Sequence, residues 1–167
     1  MQKETCPVCE NIDSIKNDQN KYFVAELETG FVVIGDRQYF KGYTLFLCKM
    51  HITELHFLEI EYKKIFLLEL SLISEAVYNC FKPHKLNYEL LGNICPHLHW
   101  HIFPRYLNDP SVKDPVWQKN AELAKNDSFI PDNNELKDLK ENLLFQLLKT
   151  EGINILKDFR ENKSNVS

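Results

Sequence analysis

Three histidines occupy alternate positions in residues 95–105, which read CPHLHWHIFPR. Successive side chains of a β-strand point to opposite faces of the sheet. An extended conformation therefore places the three imidazoles on one face and the intervening apolar side chains on the other. The histidines are His97, His99 and His101, and the apolar residues are Leu98, Trp100 and Ile102. The pattern predicts a strand with one face packed on the core and the other presenting imidazoles in a cleft.

A row of imidazoles indicates catalytic or metal-binding chemistry. Histidine is nucleophilic and changes charge near neutral pH, so three of them can supply an attacking nitrogen, a proton donor and a metal ligand. A purely structural row is disfavoured because buried imidazoles without partners are costly. One alternative is a catalytic zinc held by all three rings. Same-face residues lie about 6–7 Å apart along a strand, which leaves His97 and His101 too far apart to share one ion comfortably.

The sequence around this row predicts an α+β fold. Alternating or β-branched segments predict strands, and a helical spacing of apolar residues predicts two helices. The expected strands are 22–27, 31–34, 43–48, 86–91 and 97–104, and the expected helices are 59–81 and 134–149, the second capped by residues 132–134. Short links favour antiparallel pairing. We therefore expect a meandering antiparallel sheet of about five strands with one long helix and a C-terminal helical extension.

The composition is that of an ordinary globular protein. Of the 167 residues 44% are hydrophobic and 26% are charged, and the net charge is −4. Affinity for a nucleic-acid backbone requires clustered Lys and Arg, so we expect no nucleic-acid partner. The polar N-terminus lacks the apolar stretch of a signal peptide, and no apolar run is long enough to span a bilayer. These features predict a cytoplasmic protein without a membrane partner.

Cys6 and Cys9 form a CPVC motif that is typical of a zinc ligand pair. A redox pair is the alternative, but a thioredoxin-like motif belongs between a strand and a helix, and this one lies in a polar N-terminal segment. A tetrahedral zinc site needs two further ligands. His51, just after the third strand, and His97 are the candidates.

The segment from His97 to Phe103 resembles the signature of the histidine-triad (HIT) superfamily, in which three histidines alternate with apolar residues. The PHLHWH…PR form, preceded by Leu91-Gly92-Asn93, is similar to the bacterial branch often labelled diadenosine-tetraphosphate hydrolase-like. The resemblance covers roughly residues 5–107. It implies a HIT domain with an N-terminal zinc knuckle at 1–107, and it leaves 108–167 as a loop and helical extension packed on the same domain.

The resemblance also implies catalytic roles. His99 is similar to the nucleophile that forms a covalent nucleotidyl-histidine, and His101 resembles the residue that hydrogen-bonds the phosphate under attack. Asn93 stands where many relatives place a glutamine that contacts phosphate. Ile94 stands where relatives often carry a Ser or Thr that can donate a proton to the leaving oxygen. Relatives use an Asp or Asn after the second strand to bind the nucleoside. Asp36 is the nearest match to that residue and is displaced from it by one position.

Two further expectations follow from the resemblance. Many relatives bind a structural zinc through two cysteines, a histidine after the third strand and the first triad histidine, which here are Cys6, Cys9, His51 and His97. A closed site of this kind leaves no position for catalytic water, and no catalytic cofactor is expected. Homodimerisation is the second expectation.

The resemblance therefore implies a hydrolase or transferase acting on a nucleoside phosphate ester, anhydride or phosphoramidate, for example a dinucleoside polyphosphate. Arg105, at the end of the triad strand, either binds phosphate or caps the strand. The alternative to an enzyme is a catalytically weak nucleotide-binding protein, which the isoleucine at position 94 and the displaced Asp36 keep open.

Overall fold

A six-stranded antiparallel sheet organises the computed structural model, which describes residues 6–109, 112–118 and 126–161 apart from the side chain of residue 117. The strands are β1 (Phe23–Glu26), β2 (Gly30–Ile34), β3 (Thr44–Cys48), β4 (Lys85–Glu89), β5 (His99–Arg105) and β6 (Lys157–Asp158). The helices are α1 (Pro7–Lys16), α2 (Ile60–Phe81) and α3 (Asn133–Lys149). This architecture confirms the predicted fold class.

The strand order β4-β5-β3-β2-β1-β6 follows from the lengths of the connections. Short links join β1, β2 and β3 into a meander. The long helix α2 separates β3 from β4 in the chain, and β5 lies between these two strands and pairs with both. The sixth strand corrects the expected count of five. It contains two residues that pair with Ala25 and Glu26 of β1, which is too short to give an alternating pattern.

Helices α2 and α3 cover one face of the sheet. Their buried residues, among them Phe66 and Ile73 of α2 and Leu143 and Leu147 of α3, join the main core with apolar residues of the strands. Asp132 begins α3, because its side chain accepts hydrogen bonds from two backbone N–H groups of the first turn, each at 2.9 Å. The C-terminal helix therefore packs against the same core as the triad strand.

A buried carboxylate attaches α2 to the turn between β1 and β2. Glu69 accepts hydrogen bonds from the backbone N–H groups of Glu28 (2.8 Å) and Thr29 (3.1 Å) and from the hydroxyl of Thr29. Tyr62, also on α2, donates its hydroxyl to the carbonyl of Thr29 at 2.7 Å. These bonds satisfy the polar groups of a tight turn that lies under a helix.

Helix α1 lies on the opposite face of the sheet. The sequence-based expectation describes this segment only as polar and includes no helix there. Val8, Ile12 and Ile15 have helical spacing and pack on apolar residues of β1, β2 and β3. Three apolar residues among polar ones give a weak periodic signal, which explains the omission. Within the described ranges, no helix has the length and hydropathy needed to cross a membrane.

Candidate active site and metal centre

Strand β5 presents two of the three histidines on the face opposite α2 and α3. Leu98 and Ile102 are 2% and 0% exposed and belong to the core beneath those helices. The strand begins at His99 and ends at Arg105, so the predicted range 97–104 is shifted. His97 precedes the strand, in a bend where its own N–H donates to the carbonyl of Cys95 at 2.8 Å.

Apolar clusters flank the histidine face on both sides. One contains the buried side of α1 with Phe31 and Leu47, and Cys95 packs against it. The other contains Phe40, Phe103 and Val116. Between them, the rings of His99 and His101 lie with their centroids 4.7 Å apart. The two imidazoles therefore sit in one cleft, as the alternating pattern predicts.

A backbone carbonyl fixes the tautomer of His99. Its Nδ1 lies 2.5 Å from the carbonyl oxygen of His97, and a carbonyl can only accept, so Nδ1 carries the proton. In the neutral ring the lone pair is then on Nε2. Only 9% of the residue is exposed, and its orientation is set by its own strand rather than by solvent.

His101 has a tyrosine as its partner. Its Nδ1 lies 2.6 Å from the hydroxyl oxygen of Tyr43, the residue just before β3. Burial, with a smaller contribution from the neighbouring His99, lowers the pKa of His101 to about 4. The ring is therefore neutral at pH 7 in the free protein. Sequence reasoning missed Tyr43, because no motif marks the residue before a strand as a partner of one on the neighbouring strand.

Four residues form a group that could hold a metal ion. The candidate ligand atoms of Cys6, Cys9, His51 and His97 all lie within 4.8 Å of one another. His97 donates its Nε2–H to the carbonyl of Cys48 at 2.9 Å. Its Nδ1 lone pair then faces the sulfur atoms of Cys6 and Cys9 at 3.5 and 3.4 Å. Of the triad, this group includes His97 alone, which speaks against one metal ion shared by all three rings.

The thiols of this group are electrostatically unequal. Burial alone would raise the pKa of Cys6, but hydrogen bonds from the backbone N–H of Cys9 and from the thiols of Cys9 and Cys95 lower it. Burial and the neighbouring Cys6 raise the pKa of Cys9 to about 11. Burial lowers the pKa of His97, which keeps its ring neutral. A thiol of lowered pKa next to an imidazole of lowered pKa is suited to a thiophilic divalent cation, which binds the thiolate and the neutral ring.

Helix α1 explains how the cysteines are held. Cys6 is the N-cap residue and Cys9 lies in the first turn, with Pro7 at the first helical position. His51 follows β3, and its Nδ1 lies 3.3 Å from the sulfur of Cys9. The cysteine pair therefore begins a helix, whereas the sequence analysis describes this segment only as polar.

Asn93, the predicted phosphate contact, and Ile94, at the position of the leaving-group donor in relatives, lie in the loop before the triad. Asn93 is exposed, and Ile94 is 99% exposed. Both lie within the four residues before His97, and among the described residues no hydrogen bond joins either side chain to the rings of His99 or His101. The loop leaves their side chains open to a ligand rather than fixed in the cleft.

Asp36 and Arg105 are engaged by other partners. Asp36 pairs with Arg37 at 2.6 Å, and Arg37 also pairs with Asp127 at 2.9 Å. Arg105 is 3% exposed and donates to Asp109, Asn87 and the carbonyl of Asp114. It lies four residues beyond His101, about 13 Å along the strand. The structure does not bring Arg105 to the histidines.

Comparison with known proteins identifies the fold. Residues 16–108, more than half of the chain, match the HIT domain family. A histidine triad protein from Marinobacter aquaeolei VT8 is 25% identical, with a TM-score of 0.66 over 77% of this chain and 89% of that chain. A HIT family protein from Bacillus subtilis is also 25% identical, with a TM-score of 0.56 over 84% of this chain and 95% of that chain.

A third structure shares the fold at lower identity. It is described as a hypothetical histidine triad nucleotide-binding protein from Sulfolobus tokodaii strain 7, and it is 18% identical with a TM-score of 0.65. The alignment covers 84% of this chain and 93% of that chain. Among curated proteins, none matches the chain.

Proposed function

The chain belongs to the HIT domain family, and from this premise we propose that it is a nucleotide hydrolase or nucleotidyl transferase that forms a covalent nucleotidyl-histidine. Family membership supports nucleotide-binding, HIT-type activity in general. The finer proposal concerns the reaction, in which a nucleoside phosphate ester, anhydride or phosphoramidate reacts at phosphorus.

The observation that carries the proposal is the hydrogen bond from Nδ1 of His99 to the carbonyl of His97. It leaves the lone pair on Nε2, which attacks phosphorus while the bond to the leaving group breaks. Water or another acceptor then attacks the same phosphorus, the bond to Nε2 breaks, and His99 regains its neutral form. The carbonyl also stabilises the positive charge that the ring acquires in the intermediate.

His101 supports this reaction as a neutral hydrogen-bond donor. Its ring lies beside that of His99, and burial holds its pKa at about 4. A neutral donor aimed at a non-bridging phosphate oxygen can stabilise the charge that develops there without a proton being transferred. Asn93, exposed in the preceding loop, can add a second donor from its side-chain amide when a phosphate binds.

The leaving group decides which substrate class fits best. Ile94 has no proton to donate, and a phosphate leaving group needs none, whereas an amine or alkoxide does. This favours anhydrides over phosphoramidates and places dinucleoside polyphosphates first, in line with the diadenosine-tetraphosphate hydrolase-like branch. Asp36 is proposed as a contact of the nucleoside, reached by release of its ion pair with Arg37.

Zinc is the proposed occupant of the metal centre. Two sulfur and two nitrogen donors in one compact group fit tetrahedral Zn²⁺, and four protein ligands leave no open position for a substrate. Such an ion supplies structural stability and links α1 to the residue before β5. His97 would hold the metal with the nitrogen that faces the two sulfur atoms, while its carbonyl orients His99.

The decisive experiment traps the intermediate. The protein is mixed with an adenine dinucleoside polyphosphate labelled at the α-phosphate, denatured without acid and separated by electrophoresis. We expect the wild type to retain label and to release adenosine monophosphate. His99→Ala removes the nucleophile, so label is lost and turnover falls at least about 10³-fold.

A matched histidine provides the control. His84 is exposed at the start of β4, away from the triad, so His84→Ala should label and turn over like the wild type. If calorimetry shows tight nucleotide binding but the protein neither retains label nor forms product, the protein is the nucleotide-binding alternative rather than an enzyme. Turnover that persists in His99→Ala would refute the covalent mechanism.

A further inference from the structure

Tyr43 is held rigidly against the histidine cleft. Its ring stacks on that of Phe103 with a centroid distance of 4.4 Å and an angle of 9°, and it lies parallel to the ring of His101 at 5.9 Å. On another side it abuts Gly35, where an added Cβ would lie 2.0 Å from the tyrosine Cδ1. Packing therefore fixes the ring, and with it the hydroxyl that meets Nδ1 of His101.

We propose that Tyr43 is a positioning residue that holds His101 in the tautomer with its proton on Nε2. The significance for catalysis rests on the function proposed above. The tautomer itself is a property of the free protein and can be measured without any substrate.

The direction of the hydrogen bond follows from the partners available. Within the described ranges, the hydrogen-bond partner of the Tyr43 hydroxyl is Nδ1 of His101. If the hydroxyl donates, both groups are satisfied, but if Nδ1–H donates, the hydroxyl proton is left in a largely buried site without an acceptor. Burial, together with the negative charges of Asp36 and Glu89, raises the pKa of Tyr43 and keeps the hydroxyl protonated.

The arrangement gives two neighbouring imidazoles opposite tautomers. The carbonyl of His97 puts the proton of His99 on Nδ1, and the hydroxyl of Tyr43 puts that of His101 on Nε2. The first ring then offers a lone pair and the second an N–H, which are the two functions that an attack on phosphorus requires. Without the hydroxyl, no contact of the described residues would select between the tautomers of His101.

Nuclear magnetic resonance of protein labelled with ¹⁵N-histidine tests the proposal without substrate. In the wild type we expect His101 to be unprotonated at Nδ1 and protonated at Nε2, and to gain its second proton only near pH 4. In Tyr43→Phe the donor to Nδ1 is lost, so protonation of Nδ1 becomes easier and the midpoint moves up by about one pH unit.

The titration must allow for the charged neighbours of His101. These are His99 on the same strand and Glu89 directly opposite on β4. Asp36, in the loop that follows β2, acts on the partner residue Tyr43. All three remain in Tyr43→Phe, so their fields cancel in the comparison. Tyr106→Phe is the matched control, since this hydroxyl donates to the carbonyls of Lys41 and Phe81 and does not contact the triad.

Kinetics provide the second readout. If the enzyme turns over nucleotides, Tyr43→Phe should lower kcat about tenfold with KM changed less than about threefold, while Tyr106→Phe changes neither. A wild-type His101 protonated on Nδ1, or an unchanged His101 midpoint in Tyr43→Phe, overturns the proposal. Lack of turnover in the wild type refutes the proposed function instead, and the resonance measurement still decides the tautomer.

Discussion

Ile94 determines which leaving groups the proposed reaction can expel. Its side chain is 99% exposed in the loop before His97 and offers no proton. A serine there could donate to a departing nitrogen or oxygen, as the corresponding residue is expected to do in relatives. We predict that Ile94→Ser raises kcat/KM for an adenosine phosphoramidate about tenfold. Hydrolysis of diadenosine tetraphosphate should change less than about twofold, because its leaving group needs no proton.

The control for this prediction shortens the side chain by one methylene and adds no hydroxyl. Ile94→Val should leave the ratio of the two rates as in the wild type. A rise in phosphoramidate cleavage with valine would show that shape rather than proton donation limits this substrate. Equal increases for both substrates with serine would contradict the leaving-group argument.

At the scale of elements, α1 is attached to the sheet by apolar packing and by the cysteines at its N-terminus. If zinc occupies the metal centre, it links this helix to the residue before β5 and contributes directly to folding. We predict that the wild type carries about one zinc ion per chain, measured by inductively coupled plasma mass spectrometry. Cys9→Ser should lose the ion and lower Tm by about 5–10 °C, equivalent to about 2–3 kcal/mol.

Cys80 on α2 provides the matched substitution, since it is half-buried and lies outside the ligand group. Cys80→Ser should retain the metal. Full zinc content in Cys9→Ser, or a wild type that contains no metal after purification without chelators, would contradict the zinc assignment. If Cys9→Ser lowers Tm without a change in metal content, the loss of stability comes from the packing of α1.

The elements also show what the sequence can and cannot reveal. Strong periodic signals predict α2, α3 and the triad strand, because burial on one face imposes a regular spacing. Helix α1 has too few apolar residues for this, and β6 is too short. The grouping of Cys6, Cys9, His51 and His97 follows from a resemblance. The tautomers of the three histidines depend instead on two carbonyls and a hydroxyl that only the folded chain supplies.

On the scale of the whole molecule, the main core lies on one side of the sheet and the candidate active site lies on the other. Helices α2 and α3 bury the apolar side of β5, and the opposite side carries the histidines between two smaller apolar clusters. The sheet ends at β4 on one edge and at β6 on the other. Among the described residues, no strand pairs with the outer edge of β4, which lies next to the triad strand, so any partner that pairs with this edge would lie close to the cleft.

We propose that a second copy of the chain covers this edge. Tyr78 of α2 and Tyr88 of β4 are 47% and 45% exposed and line one cleft of about 430 Å³ between the two elements. Antiparallel pairing of β4 with its own copy about a two-fold axis would satisfy the backbone groups along this edge and bury both rings.

We expect a dimer by light scattering at micromolar concentration, and Tyr88→Lys should convert it to a monomer. Leu148→Lys, on the exposed side of α3, should remain dimeric, whereas a monomeric wild type would refute the arrangement.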